Sequence, residues 1–136
     1  MGTTGLFRPP LPPAARLSRA GAQMRRIRTS KPGVVWLQAP GPCDLWTLTD
    51  EDGAPKEQEL SFFNRTVVLK DGQLYTGLAH EGVAASVYGR TALLDFDRQL
   101  DIMTLEGAQA LLSDVREAVR TPGVEHLLAA IAKHLD

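Results

Sequence analysis

Residues 60–78 read LSFFNRTVVLKDGQLYTGL, and this stretch decides the fold. Both halves are rich in aromatic, β-branched and other apolar side chains, which favour extended strands. Between the halves stands Asp71-Gly72, two residue types that tolerate the positive φ angles of a type I′ turn. The stretch therefore predicts a β-hairpin whose strands are joined by a two-residue turn.

The two-residue turn also sets the register of the hairpin. Leu69 then opposes Leu74 on one face of the sheet, and Val68 opposes Tyr75 on the other. Apolar side chains on both faces require cover on both, from the chain's own helices on one side and from a second subunit on the other. We therefore expect an intermolecular interface that includes Phe62, Val68 and Tyr75.

Further extended segments precede and follow the hairpin. In residues 43–48 the side chains alternate, with Cys43, Leu45 and Thr47 on one face of the predicted strand. We predict an antiparallel sheet of about four to six short strands. The other candidate strands are residues 34–37, 83–88 (a strand or a short helix), 91–96 and 100–103.

The apolar periodicity changes at Thr104, a residue type that often caps the N-terminus of a helix. Apolar residues then recur every three or four positions, and Thr121-Pro122-Gly123 separates two such stripes. Because strands come first and helices last, the sequence predicts an α+β fold with two C-terminal amphipathic helices packed on one face of the sheet. The stripes comprise Leu105, Ala108, Leu111, Leu112, Val115 and Val119, and then Val124, Leu127, Leu128, Ile131 and Leu135.

Charge divides the chain into two unequal parts. Of its 15 Lys and Arg residues, seven lie in residues 1–31, where no acidic residue occurs. The other eight lie in residues 32–136 together with all 16 Asp and Glu residues, so this part of the chain carries a net charge of −8. Residues 1–31 are also rich in proline and poor in large apolar side chains, a composition that favours disorder. We predict a disordered basic arm, residues 1–31, and a single α+β domain, residues 32–136.

A basic arm suggests a polyanionic partner. Its cations could neutralise phosphates of DNA or RNA while aromatic side chains of the sheet stack on bases. Two other interpretations stay open: an organellar targeting peptide, or a start of translation at Met24 that leaves residues 1–23 out of the mature protein. The predicted phosphate contacts are Arg16, Arg19, Arg25, Arg26, Arg28 and Lys31.

No catalytic or cofactor-binding motif stands out in the sequence. Cys43 could be a nucleophile with His80 as its base, although nothing places the two together, and His80-Glu81 could supply acid–base chemistry. A buried thiol, a surface histidine and solvated carboxylates explain the same residues without chemistry. We therefore assign no catalytic residue, cofactor or metal site. The acidic cluster that could share a cation comprises Asp95, Asp97 and Asp101.

Three functions follow from these patterns. The first is a non-enzymatic binding or assembly module, either a homo-oligomer or an adaptor for another protein. The second is a nucleic-acid-binding protein that uses the basic arm. The third is a small enzyme centred on His80 and Glu81 or on the acidic cluster. A single cysteine, and no apolar run of about 18 residues, predict a cytoplasmic protein without a membrane partner.

Overall fold

A single antiparallel sheet organises the part of the chain that the computed structural model describes, residues 10–41, 43–78 and 95–135. Seven strands pair in sequence order, so each strand lies beside its neighbours in the chain. Short connections between antiparallel strands produce this order for the first six strands. The strands are β1 (Arg25–Ile27), β2 (Val34–Ala39), β3 (Cys43–Thr49), β4 (Pro55–Phe62), β5 (Arg65–Lys70), β6 (Gln73–Leu78) and β7 (Asp95–Phe96).

Helices cover one face of this sheet, here called the helix face; the opposite face is called the outer face. The predicted α+β fold, an antiparallel sheet followed by two C-terminal helices, is confirmed. The strand count exceeds the prediction because β1 comes from the supposed arm and because a turn at Phe63 and Asn64 divides residues 60–70 between β4 and β5. The helices are α1 (Ala14–Ala22), α2 (Ile102–Ser113) and α3 (Pro122–Leu135), with a short 3-10 helix (Glu117–Val119) between the last two.

The predicted hairpin is formed by β5 and β6. Leu69 pairs with Leu74, and Val68 pairs with Tyr75, as the turn length predicts. Asp71 and Gly72 have φ angles of 53° and 76°, the left-handed values that a type I′ turn needs. Because side chains alternate along a strand, the first pair lies on the helix face and the second pair on the outer face.

The hydrophobic core lies between the helix face and the helices. Leu37, Leu45, Leu60 and Val67 stand in one row across four strands and are buried. Each side chain of this kind contributes about 1.5–3 kcal/mol when it is fully removed from water. The helices supply the facing side chains, among them Leu17, Leu105, Leu111, Leu112, Leu127 and Ile131.

A buried glutamine attaches α3 to the sheet. Gln58 Nε2 donates hydrogen bonds to the carbonyl oxygen of Gly123 at 2.7 Å and to Thr47 Oγ1 at 3.1 Å. The carbonyl of Gly123 lies in the first turn of α3, and both side chains belong to the helix face. The contact therefore fixes where the helix begins relative to β3 and β4.

The start of α2 differs from the prediction. Residues 100–103 are not a strand, because α2 already begins at Ile102 and its N-cap is Asp101 rather than Thr104. The Asp101 carboxylate accepts a hydrogen bond from the backbone N–H of Thr104 at 3.2 Å, the usual N-cap arrangement. The helix also ends at Ser113, so the last residues of the predicted stripe belong to a connection and to the 3-10 helix.

The prediction of a disordered arm is wrong for residues 10–31. They form α1 and β1, and Leu17 and Met24 are buried in the common core. The few apolar side chains of this segment are spaced so that they fall on one side of α1, which compensates for their small number. Consequently residue 32 is not a domain boundary in the described chain. Residues 1–9 of the predicted arm lie outside the described residues.

Close packing of α1 on α2 depends on Gly21. A Cβ atom at this position would lie 1.8 Å from the carbonyl oxygen of Leu111, which leaves no room for a side chain. Arg116 secures the same helix end, since its Nε donates to the carbonyl oxygen of Ala22 at 3.1 Å and its Nη2 to that of Met24 at 3.2 Å. The guanidinium thus satisfies one carbonyl group at the end of α1 and one just beyond it.

Replacing Gly21 by alanine should lower the free energy of unfolding by about 1–3 kcal/mol, because the added methyl group forces two helix backbones apart. Urea denaturation followed by circular dichroism measures this change. The exposed Ala22→Ser variant is the matched control, with an expected loss of about 0.5 kcal/mol or less. Equal stability of the two variants would show that α1 does not pack on α2.

Candidate binding surface

Two of the three acidic residues proposed as a cation site have structural partners. Arg65 Nη1, almost fully buried, lies 3.1 Å from Asp101 Oδ2 and donates to Thr104 Oγ1 at 2.8 Å. Thr76 Oγ1 donates to Asp97 Oδ2 at 2.7 Å. These contacts join β5, β6 and the segment after β7 to the first turn of α2. The carboxylates therefore serve the fold.

The remaining candidates for catalysis or metal binding form no site within the described residues. His80 and Glu81, and the side chain of Asp95, lie outside the described residues. Within residues 10–41, 43–78 and 95–135, no group of three or more His, Cys, Asp or Glu side chains is placed to hold a metal ion.

Removing the Asp101 carboxylate should be strongly destabilising. Asp101→Ala deletes the N-cap of α2 and leaves the buried Arg65 guanidinium without this partner, a loss of about 3–5 kcal/mol for a buried pair. The lower end applies, because the Asp101 side chain is 30% exposed. Thermal unfolding measures the loss, with Asp114→Ala as an exposed control near the other end of α2. A loss below about 1 kcal/mol would contradict the structural role.

Cys43 is not placed to act as a nucleophile. Its side chain is fully buried on the helix face at the start of β3. Burial, and to a smaller extent the negative charge of Asp44, raise the pKa of the thiol to about 12. The reactive form of cysteine is the thiolate, which is negligible at neutral pH for such a group. The predicted alternative, a small buried side chain, describes Cys43 correctly.

A row of mostly large side chains crosses the outer face of the described sheet. Strand pairing places six residues side by side, one from each of six successive strands. The row is buried at its centre and more exposed towards both ends. In order from β1 to β6 the residues are Ile27, Trp36, Trp46, Glu59, Val68 and Tyr75.

The two tryptophans of the row form a stacked pair. The ring centroids of Trp36 and Trp46 are 4.5 Å apart and the ring planes are inclined by only 11°. Trp36 Nε1 donates a hydrogen bond to Asp44 Oδ1 at 2.8 Å. All three side chains, like that of Ile27, are half-buried. We call Ile27, Trp36, Trp46 and Asp44 the tryptophan patch.

A second aromatic pair lies at the opposite end of the outer face. Tyr75 and Phe96 have ring centroids 5.7 Å apart, and 41% and 50% of their surfaces are exposed. Of the three residues proposed for an interface, Tyr75 is therefore accessible, whereas Val68 is buried. Phe62 lies on the helix face and is fully buried in the core, so the proposal for this residue is wrong.

The basic residues of the N-terminal segment fall into two groups. Arg25 and Arg26 lie in β1 and Arg28 directly follows it, and all three are exposed at the end of the sheet beside the tryptophan patch. We call Arg25, Arg26, Ile27 and Arg28 the β1 edge. The remaining three proposed phosphate contacts lie elsewhere: Arg16 and Arg19 in α1, where Arg16 stands 5.0 Å from the Phe63 ring centroid, and Lys31 in the loop before β2.

A small cleft adjoins the β1 edge. It has a volume of about 330 Å³ and is lined by Arg25 together with residues 38–41, at the end of β2 and the following turn. Sequence reasoning missed this arrangement because it did not join residues 34–37 and 43–48 as a hairpin. The signal was the proline- and glycine-rich turn between them, which brings Trp36 opposite Trp46.

Comparison of the chain with protein-family models, with curated proteins and with solved structures finds no match. Among the residues described, no helix has both the length and the apolar character needed to cross a bilayer. Function is therefore inferred from the geometry of the outer face.

The environment of Asp44 gives the tryptophan patch a pH dependence. Burial raises the pKa of Asp44 above the ordinary value of an aspartate, and hydrogen bonds from Trp36 and Gln38 oppose part of this rise. A raised pKa in the folded state means that the protonated carboxyl favours folding. This contribution is complete below the pKa of the unfolded chain and is lost as the pH rises through the folded-state pKa.

Asp44→Asn removes the charge but keeps an oxygen that can accept the hydrogen bond from Trp36. Its stability relative to the wild type should therefore increase between pH values below 4 and neutral pH. Urea denaturation over this pH range tests the expectation, with the exposed Glu51→Gln as the control variant. A relative stability that stays constant or falls with rising pH would contradict it.

Proposed function

We propose that the protein is a non-enzymatic binding module that contacts another protein chain through the tryptophan patch. The observation that supports this proposal is the stacked pair of Trp36 and Trp46 on the outer face, opposite all three described helices. Tryptophan is among the residues that contribute most to protein–protein binding, because its large ring buries much area at low entropic cost.

The arrangement of the patch favours recognition by contact over catalysis. Its carboxylate, Asp44, accepts a hydrogen bond from Trp36 Nε1 at 2.8 Å and helps to fix the orientation of that ring. A ring held in this way loses little additional freedom when a partner covers it, which reduces the entropic cost of binding. Apolar side chains surrounded by charged ones are also the usual composition of an interface core and its rim.

Single-stranded nucleic acid is the second candidate partner, and the three arginines beside the patch favour it. Two features of the patch oppose it. The tryptophan rings already cover each other, and Ile27 and Glu59 occupy the next positions on either side, so bases have no open ring face on which to stack. The Asp44 carboxylate also adds a negative charge where a polyanion would lie.

The protein-binding proposal predicts that the tryptophans are required for association. In the double variant Trp36→Thr and Trp46→Thr, threonine preserves the preference for a strand but removes the rings. Light scattering over a wide concentration range measures self-association, and a photo-reactive residue at Tyr75 or Ile27 captures other partners. Association should be lost in the double variant, whereas Ile102→Thr with Met103→Thr, two exposed residues of α2, should retain it.

Circular dichroism establishes that both double variants are folded. A strict monomer whose photo-reactive positions capture no protein beyond those captured from position 133, at the far end of α3, would overturn the proposal. Tight binding of a single-stranded oligonucleotide that depends on the tryptophans would support the second candidate instead.

A further inference from the structure

On the basis of the proposed function, we further propose that the partner presents an extended acidic peptide segment, which adds as a strand to the β1 edge. β1 is the first strand in the order of the sheet and pairs only with β2 among the described strands. Within the described chain no strand pairs with its outer edge, and an added strand would use main-chain hydrogen bonds there for affinity.

The arginines of the β1 edge define the charge of the segment. Arg25 pairs with Gln38 and Arg26 with Leu37, so the two arginines project to opposite faces of the sheet. Residues of an added strand lie directly opposite those of β1 and share their faces. An acidic residue opposite Arg25 and another opposite Arg26 would each meet a guanidinium group.

The residue between Arg26 and Arg28 defines an apolar position. Ile27 is half-buried and stands beside Trp36 in the row of the outer face. A residue opposite Ile27 would extend this row by one position and contact the tryptophan patch. Since Arg28 follows, an antiparallel segment should read acidic, apolar, acidic, acidic in its own N-to-C direction, and a parallel segment should read the reverse.

The cleft beside Arg25 fits the same mode of binding. It lies where an added strand would continue past Arg25 towards the turn after β2, and its volume of about 330 Å³ can receive a side chain. Specificity in strand addition arises from such pockets for alternate side chains.

Two other occupants of the edge fit less well. A second copy of the chain would place the arginines of one β1 against those of the other, and like charges directly opposite each other in a sheet are destabilising. A nucleic acid has no backbone amide groups to pair with a strand edge, so it would use the arginines but leave the edge unpaired.

Selection from a displayed library of random linear peptides of about twelve residues, long enough to cover an edge strand, tests the proposal. The proteins compared are the wild type, an edge variant with Arg25→Glu, Arg26→Glu and Arg28→Glu, and a control with the same charge change at exposed positions, Lys56→Glu, Arg98→Glu and Lys133→Glu. Wild type and control should enrich the acidic–apolar–acidic–acidic pattern or its reverse, and the edge variant should not.

Affinity and hydrogen exchange complete the experiment. The most enriched peptide, synthesised with a fluorescent label, should bind the edge variant at least about tenfold more weakly than the wild type. Backbone amides of residues 25–28 should exchange more slowly when it is bound. Enriched peptides without acidic residues, unchanged affinity in the edge variant, or unchanged exchange at β1 would each overturn the inference.

The outcomes also separate this inference from the proposed function. Peptides that depend on Trp36 and Trp46 but not on the arginines would leave the protein-binding proposal standing and reject the acidic segment. Failure to enrich any peptide, together with a monomeric protein that captures no partner, would reject both. Tighter binding of a labelled oligo(dT) strand than of any enriched peptide, lost in the edge variant, would reject the peptide in favour of nucleic acid.

Discussion

The helix face of the sheet must be shielded from water, and the rest of the structure depends on this constraint. The helix face carries Leu37, Leu45, Leu60 and Val67 and must be covered, because leaving such side chains exposed costs about 1.5–3 kcal/mol each. Helices α2 and α3 follow the sheet in the chain and cover part of this face. Helix α1, which precedes the sheet, completes the cover. Gly21 permits the close approach that this third helix needs.

Polar contacts fix the position of each helix within this apolar core. Asp101 and Arg65 hold the start of α2, Gln58 holds the start of α3, and Arg116 holds the end of α1. Asp101 and Arg116 satisfy backbone groups at helix ends, and the contacts of Gln58 satisfy its own buried Nε2 group. An unsatisfied polar group is expensive away from water. Charged residues that suggest catalysis or metal binding in the sequence therefore stabilise the fold instead.

The outer face has different demands, and they explain the proposed binding role. None of the three described helices packs on this face, and its exposed side chains are the ones that we propose for the contact with a partner. Its two tryptophans are ordered by stacking and by the hydrogen bond to Asp44. The strand next to them is short and rich in arginine, features that protect a sheet edge from indiscriminate pairing while leaving it open to a segment of opposite charge.

The sequence by itself determined the features that depend on neighbouring residues: the Asp71-Gly72 hairpin and its register, the alternation of side chains in residues 43–48, and the two C-terminal apolar stripes. Only the tertiary structure decided that residues 10–31 contribute to the core, because a short helix with few apolar side chains is stabilised mainly by packing against the rest of the chain. The binding surface was equally hidden. Trp36 and Trp46 become partners, and Arg25 their neighbour, through strand pairing, which depends on the fold of the whole sheet.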